Sequence, residues 1–120
     1  MQIQINTDKN INFTPELAQR FQEVIAHELR RYADSITRIE AHLNDTNSAK
    51  KGVRDNRCML EARIAGMVPI SVEHRADTLD LAIRGAASQL ERLVKKTISK
   101  EQDGKGGMSI RYISQNNLEE

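Results

Sequence analysis

Apolar and polar positions alternate from the first residue: Met1, Ile3 and Ile5 against Gln2, Gln4 and Asn6. A period of two predicts a strand with one buried face. Asn10 to Phe13 connects it to Thr14-Pro15, a helix start with an N-cap hydroxyl followed by proline at the first helical position. Leu17, Phe21, Val24, Ile25, Leu29 and Tyr32 then recur at helical spacing, so the helix is expected to run to about Tyr32. Its outer face places Arg20, His27 and Arg31 on one stripe. A second strand follows, with Thr37, Ile39, Ala41 and Leu43 alternating with Arg38, Glu40 and His42. Asn44 to Ser48 has turn chemistry and opens a loop that continues through Lys50, Lys51, Arg54 and Arg57. Cys58, Leu60, Ala62 and Ile64 mark a third strand, and Ile70 and Val72 a fourth, with Gly66-Met67-Val68-Pro69 turning the chain between them.

The longest periodic stretch begins at Asp77, read as a helix cap, and extends to about Lys100. Leu79, Ala82, Ile83, Ala86, Ala87, Leu90, Leu93, Val94 and Ile98 fill one broad arc of this helix. Arg84, Arg92, Lys95, Lys96 and, at the border, Lys100 fill the opposite arc, with Asp80 and Glu91 along one edge. From Arg84 to Lys100 there are five basic residues and one acid, whereas surface helices commonly mix the two signs. One side of the helix is suited to packing and the other to meeting something negative. Asp103-Gly104-Lys105-Gly106-Gly107 is expected to stop the helix. Met108 to Ser114 reads as a short extra strand or docked tail, and Gln115 to Glu120 as disordered.

The element order is strand, helix, three strands, helix. A right-handed crossover makes the first two strands parallel neighbours, and hairpins join the rest. The expected fold is therefore an α/β (α+β) two-layer sandwich, a four-stranded mixed sheet with both helices on one face. Residues 1–100 form one domain and residues 101–120 a flexible or loosely docked tail. The other sheet face carries Gln2, Gln4, Arg38, Glu40, His42, Met59, Glu61, Arg63, Ser71, Glu73 and Arg75, a polar and open surface.

Composition narrows the function classes. With 120 residues, 38% hydrophobic and 29% charged, the chain is long enough for one unstapled core. The net charge is only +1, but residues 1–100 hold 16 Lys and Arg against 13 Asp and Glu. A clustered surplus of this kind fits a polyanion partner. Cys58 is the single cysteine, so no internal disulfide can form, which suits a reducing cytoplasm. No signal peptide, membrane-spanning run or zinc spacing is present in the sequence.

The pattern resembles the ribosome hibernation-promoting factor family, which includes the ribosome-associated inhibitor A proteins and members labelled sigma-modulation proteins. The resemblance spans residues 1 to about 100. It is carried by Met1 to Ile5, by Leu29 to Tyr32 running into the second strand, and by Ala82-Ile83, Gly85, Leu90, Arg92 and Lys96 in the last helix. It implies a small, non-enzymatic protein that binds the small ribosomal subunit in the messenger and transfer RNA channel, blocks translation and stores idle ribosomes under stress or in stationary phase. It implies contacts from basic side chains to ribosomal RNA phosphates, here Arg92, Lys95, Lys96 and Lys100. Helix geometry adds Arg84; the stripe on the first helix adds Arg20 and Arg31; charge adds Lys50, Lys51, Arg54 and Arg57. Gln89 departs from the pattern where the family has lysine. The short stretch after residue 100 is not expected to supply the folded dimerising domain of longer members.

The remaining chemistry-bearing residues have simpler readings. His27, His42 and His74 lie on different elements and are expected at the surface or at edges; Cys58 has core parity; Asp77 and Asp80 fit a helix start. No nucleophile–base or metal constellation is visible, so no catalytic residue, metal, cofactor or small-molecule substrate is expected. With 3% aromatic residues, base stacking is a poor candidate and recognition would rest on charge and shape. Two alternatives stand beside the ribosome reading: a general double-stranded RNA binder, and a protein-interaction module using the open sheet face or the tail.

Overall fold

A computed structural model of the chain describes residues 1–8, 11, 13–45 and 55–107, with side chains through residue 100. Lys50, Lys51, Arg54 and the segment from Met108 onward lie outside the described residues. The order is β1 (Gln2–Thr7), α1 (Pro15–Glu28), a single 3-10 turn (Arg30–Tyr32), β2 (Ile36–Asp45), β3 (Asn56–Ile64), β4 (Ile70–Ala76) and α2 (Leu79–Gly107). The four strands lie in the order β1-β2-β3-β4, with β1 parallel to β2 and the other pairs antiparallel. Both helices cover one face, giving the two-layer sandwich expected from the pattern.

The core lies between the layers. Phe21, Ile25 and Leu29 of the first helical segment meet Ile39, Ala41 and Leu43 of β2, Cys58, Leu60, Ala62 and Ile64 of β3, and Ala82, Ile83, Ala86, Ala87, Leu90 and Val94 of α2. These side chains are buried, and the arc of α2 predicted to pack does so with the exception of Leu93, which is half-buried and outside the core cluster. Thr14 caps α1 as expected, its hydroxyl accepting from the Leu17 amide at 3.1 Å.

Four local expectations are corrected. Thr37 does not face the core. The pairing of β2 with β3 shifts register between Ile36 and Arg38, so Ile36 is buried, Thr37 is exposed, and the inward set resumes at Ile39. A bulge of this kind inserts one residue and resets the alternation. Thr78, rather than Asp77, caps α2, its hydroxyl accepting from the Leu81 amide at 3.1 Å. The Asp77 carbonyl is engaged by Asn56 Nδ2 at 2.9 Å, which ties the start of β3 to the start of α2. The helix also continues through Gly107, past the glycines expected to stop it. Each added residue closes one hydrogen bond, and glycine costs only about 1 kcal/mol relative to alanine.

The fourth concerns the first helix, whose α-helical part ends at Glu28 and which reaches Tyr32 only through the 3-10 turn. His74, expected at the surface or an edge, is on an edge strand. It lies on the helix side of β4, half-buried beneath α2. A Cβ on Gly85 would lie only 2.2–2.8 Å from three atoms of the His74 ring, so glycine is needed where the helix passes over it. Gln89, one turn on, donates from Nε2 to His74 Nδ1 at 3.2 Å and holds the ring there. The position where the family pattern has lysine is thus turned inward as a clamp on the sheet. Gly85→Ala should destabilise the domain by about 1–3 kcal/mol through overpacking. In a His74→Ala background the same change should be neutral or stabilising, because alanine is the better helix former. A double-mutant cycle by urea denaturation measures this coupling.

Cys58 is fully buried, and desolvation pushes its thiol from an ordinary 9.0 up to about 12. A native thiol so held should react with alkylating reagents only through unfolding. The folded value lies above the unfolded one, so this stabilisation is complete below pH 9 and is lost as pH rises toward 12. Unfolding should become easier across that window by about 1.4 kcal/mol per pH unit, a slope absent from Cys58→Ala in pH-dependent denaturation.

Candidate polyanion-binding face

Burial of the apolar arc of α2 decides what the helix shows to solvent. Arg84, Arg92, Lys95, Lys96 and Lys100 are all exposed along the outer face of the helix layer. From Arg84 to Lys100 they span about 24 Å at 1.5 Å per residue. Arg92 Nη1 donates to the Ser88 hydroxyl at 2.8 Å, a neutral partner one turn back. Among the described residues, no carboxylate pairs with Arg92, Lys95, Lys96 or Lys100.

The other predicted cations divide. Arg20, on α1, is brought beside Arg84: Asp80 accepts from Arg20 Nη2 at 3.0 Å and from Arg84 Nε at 3.0 Å. Both helices return across the sheet from parallel strands and so run in the same sense. Arg31 is exposed in the 3-10 turn, toward the end of the layer where Arg92 and the lysines lie. Arg57 is a strand residue rather than a loop residue, because β3 begins at Asn56. Its side chain lies on the open sheet face, away from the helices, bound to Asn44 Oδ1 at 2.9 and 3.2 Å and to Glu73 at 3.0 Å.

That open face is charged but largely self-neutralising. Like charges stand directly across the strands: Arg38 opposite Arg63, Glu40 opposite Glu61, Arg57 opposite Arg75. Compensation runs along and between these rows. Arg38 pairs with Glu40 at 2.7 Å and also donates to Gln4; Arg75 pairs with Asp55 at 2.7 Å and with Glu73 at 3.6 Å; His42 lies 3.5 Å from Glu40. The sequence showed the alternation of these residues but not their pairing, which needs the register.

Two cavities among the described residues lie elsewhere. One, of about 380 Å³, separates β1 from α1 beside Met1, Ile3 and Gln22; the other, of about 260 Å³, opens on the sheet face between Asn6, His42 and Arg57. The cationic side chains themselves are exposed, an arrangement that suits an extended polyanion. Among the described residues there is no group of three or more His, Cys, Asp or Glu side chains able to hold a metal, and no helix long and apolar enough to cross a membrane.

Fold and surface together define a class: a two-layer α/β domain that presents a helix with exposed cations, from Arg92 to Lys100 without an ion pair among the described residues. Residues 3–102 match the family model described as Sigma 54 modulation protein / S30EA ribosomal protein, and the chain belongs to that family, the ribosome hibernation-promoting factor family. It is a family of non-catalytic, ribosome-associated regulatory proteins. Solved structures share the fold, among them two of similar size. A ribosomal subunit interface protein from Coxiella burnetii superposes with a TM-score of 0.66 at 16% identity, covering 82% of this chain and 99% of that one. The N-terminal domain of Protein Y from Thermus thermophilus gives 0.65 at 24% identity, covering 81% of this chain and 99% of that one. No curated protein matches the chain.

Proposed function

We propose that this domain binds the small ribosomal subunit in the cytoplasm, occupies the channel used by messenger and transfer RNA, and so represses translation. The observation that carries this reading is the outer face of α2, where Arg92, Lys95, Lys96 and Lys100 are exposed with no carboxylate partner among the described residues. Family membership supplies the ribosome as the polyanion. The name of the Coxiella burnetii structure, a ribosomal subunit interface protein, agrees with that partner. Arg31 extends the cationic face on the α1 side, and Lys50, Lys51 and Arg54, with Arg57, are proposed as a further contact region.

Recognition by phosphate and shape, rather than by base stacking, is supported by the aromatic residues. Phe21 is buried, and Phe13 and Tyr32 are partly buried against the core, while Tyr112 lies outside the described residues. Each lysine or arginine that neutralises a phosphate releases condensed counterion. With about four such contacts, log K against log salt should fall with a slope of roughly −2.8 to −3.6.

Co-sedimentation with purified small subunits tests the reading. The wild-type protein should travel with subunits at low salt and be released as salt rises. Lys95→Glu with Lys96→Glu should weaken binding on the order of tenfold or more, because two attractive contacts become repulsive. Equal occupancy by the double variant overturns the proposal. Competition by plain duplex RNA as effective as by ribosomes would instead make the domain a general double-stranded RNA binder.

A further inference from the structure

The acid at the N-terminal end of the cationic face belongs to no expected contact, yet it touches two arginines that do. Asp80 lies in the first turn of α2, where a carboxylate is favoured by the helix dipole. One oxygen accepts from Arg20 of α1 and the other from Arg84 of α2, both at 3.0 Å. The Asp80 side chain is 33% exposed and the two arginines are 58% and 55% exposed. The triad is thus a surface assembly that an incoming phosphate can reach.

We infer that Asp80 is a built-in competitor for phosphate, which withdraws Arg20 and Arg84 from polyanion binding and confines the contact to the end of α2 from Arg92 onward. The inference rests on the proposed polyanion-binding role of this face. Two guanidiniums sharing one carboxylate present half the net charge of two unpaired ones. A phosphate that approaches them must displace the carboxylate or sit beside it, and the attraction is reduced in either case. At the other end, Arg92 is held only by a neutral hydroxyl, and Lys95, Lys96 and Lys100 have no ion pair among the described residues. Glu91, the other acid of α2 up to residue 100, makes no ion pair among the described residues either. The face is therefore graded along the helix, its charge halved where Asp80 ties α1 to α2 and unpaired among the described residues where α2 runs on. That gradient sets which phosphates of a long polyanion the domain engages, and in which orientation. Asp80 is a specificity-determining residue that need not touch RNA itself.

The sign of one substitution decides the matter. Asp80→Asn frees both arginines, so the salt slope for small-subunit binding should steepen by roughly 1.4–1.8, the value of two added phosphate contacts. Affinity at low salt should rise several-fold. Asp34→Asn removes the same charge from an exposed turn, where no ion pair is present among the described residues, and serves as the control. Arg84→Gln should leave the slope nearly unchanged in the wild type but lower it by roughly 0.7–0.9 in the Asp80→Asn background. Elution from immobilised heparin reads the same effect without ribosomes, with Asp80→Asn expected later than Asp34→Asn. Should Asp80→Asn fail to fold, the wild-type Arg84→Gln arm decides alone: loss of a full contact's slope there refutes the inference. The inference also fails if Asp80→Asn matches Asp34→Asn or binds more weakly than the wild type. If the heparin shift appears while neither protein travels with subunits, the ribosomal role falls and the competitor role of Asp80 stands.

Discussion

The rotation of α2 about its own axis is the constraint on which the surface depends. It is set where the helix crosses β4, by the fit of the His74 ring beneath Gly85 and the bond from Gln89 to that ring. With the ring seated there, Ala82, Ile83, Ala86, Ala87, Leu90 and Val94 are driven into the core, and the cations a half-turn away are driven out. A helix rolled by a few tens of degrees would bury part of one set and expose part of the other. Packing and charge sorting are thus one event: the hydrophobic effect supplies the energy, and the glycine supplies the register.

The two faces of the domain handle charge in opposite ways. On the sheet, arginines and acids alternate in rows, and the pairs Arg38–Glu40, Arg57–Glu73 and Arg75–Asp55 cancel much of the field. On the helix layer, the ion pairs among the described residues are those of Asp80 with Arg20 and Arg84. A chain with net charge +1 can carry a locally cationic face because Arg92, Lys95, Lys96 and Lys100 cluster in a stretch with no acid among them. Surface pairs of this kind contribute little to stability, typically 0–1 kcal/mol each. Their larger effect is on the long-range potential that a polyanion would meet.

Much of the fold was legible because its periodicities are long and clean. The strands around Ile39, Leu60 and Val72 alternate faithfully, and α2 keeps one apolar arc over many turns. Where reading failed, a single local bond or a non-local neighbour had intervened. The bulge at Ile36–Arg38 shifts alternation by one residue, which no spacing rule detects in advance. Thr78 rather than Asp77 is the cap because the helix starts at Leu79, while the Asp77 carbonyl accepts from Asn56, a residue of β3. His74, on an edge strand as expected, has inward parity; its place beneath α2 still required a glycine on the helix above it. Of the candidate site, the cationic stripe on α2 was readable from helix geometry alone. The capture of Arg20 and Arg84 by one carboxylate was not, since Arg20 and Asp80 are 60 residues apart in the chain.

What the amino-acid order determined by itself is local and periodic: which segments are helix or strand, which side of each is apolar, and that the last helix segregates its charges. These follow from side-chain geometry within a few residues, so they survive without knowledge of neighbours. What only the tertiary structure decided is which charges remain uncompensated. Electrostatic partners are chosen by distance in space, and the sheet register and the α1–α2 contact bring together residues that the chain keeps far apart.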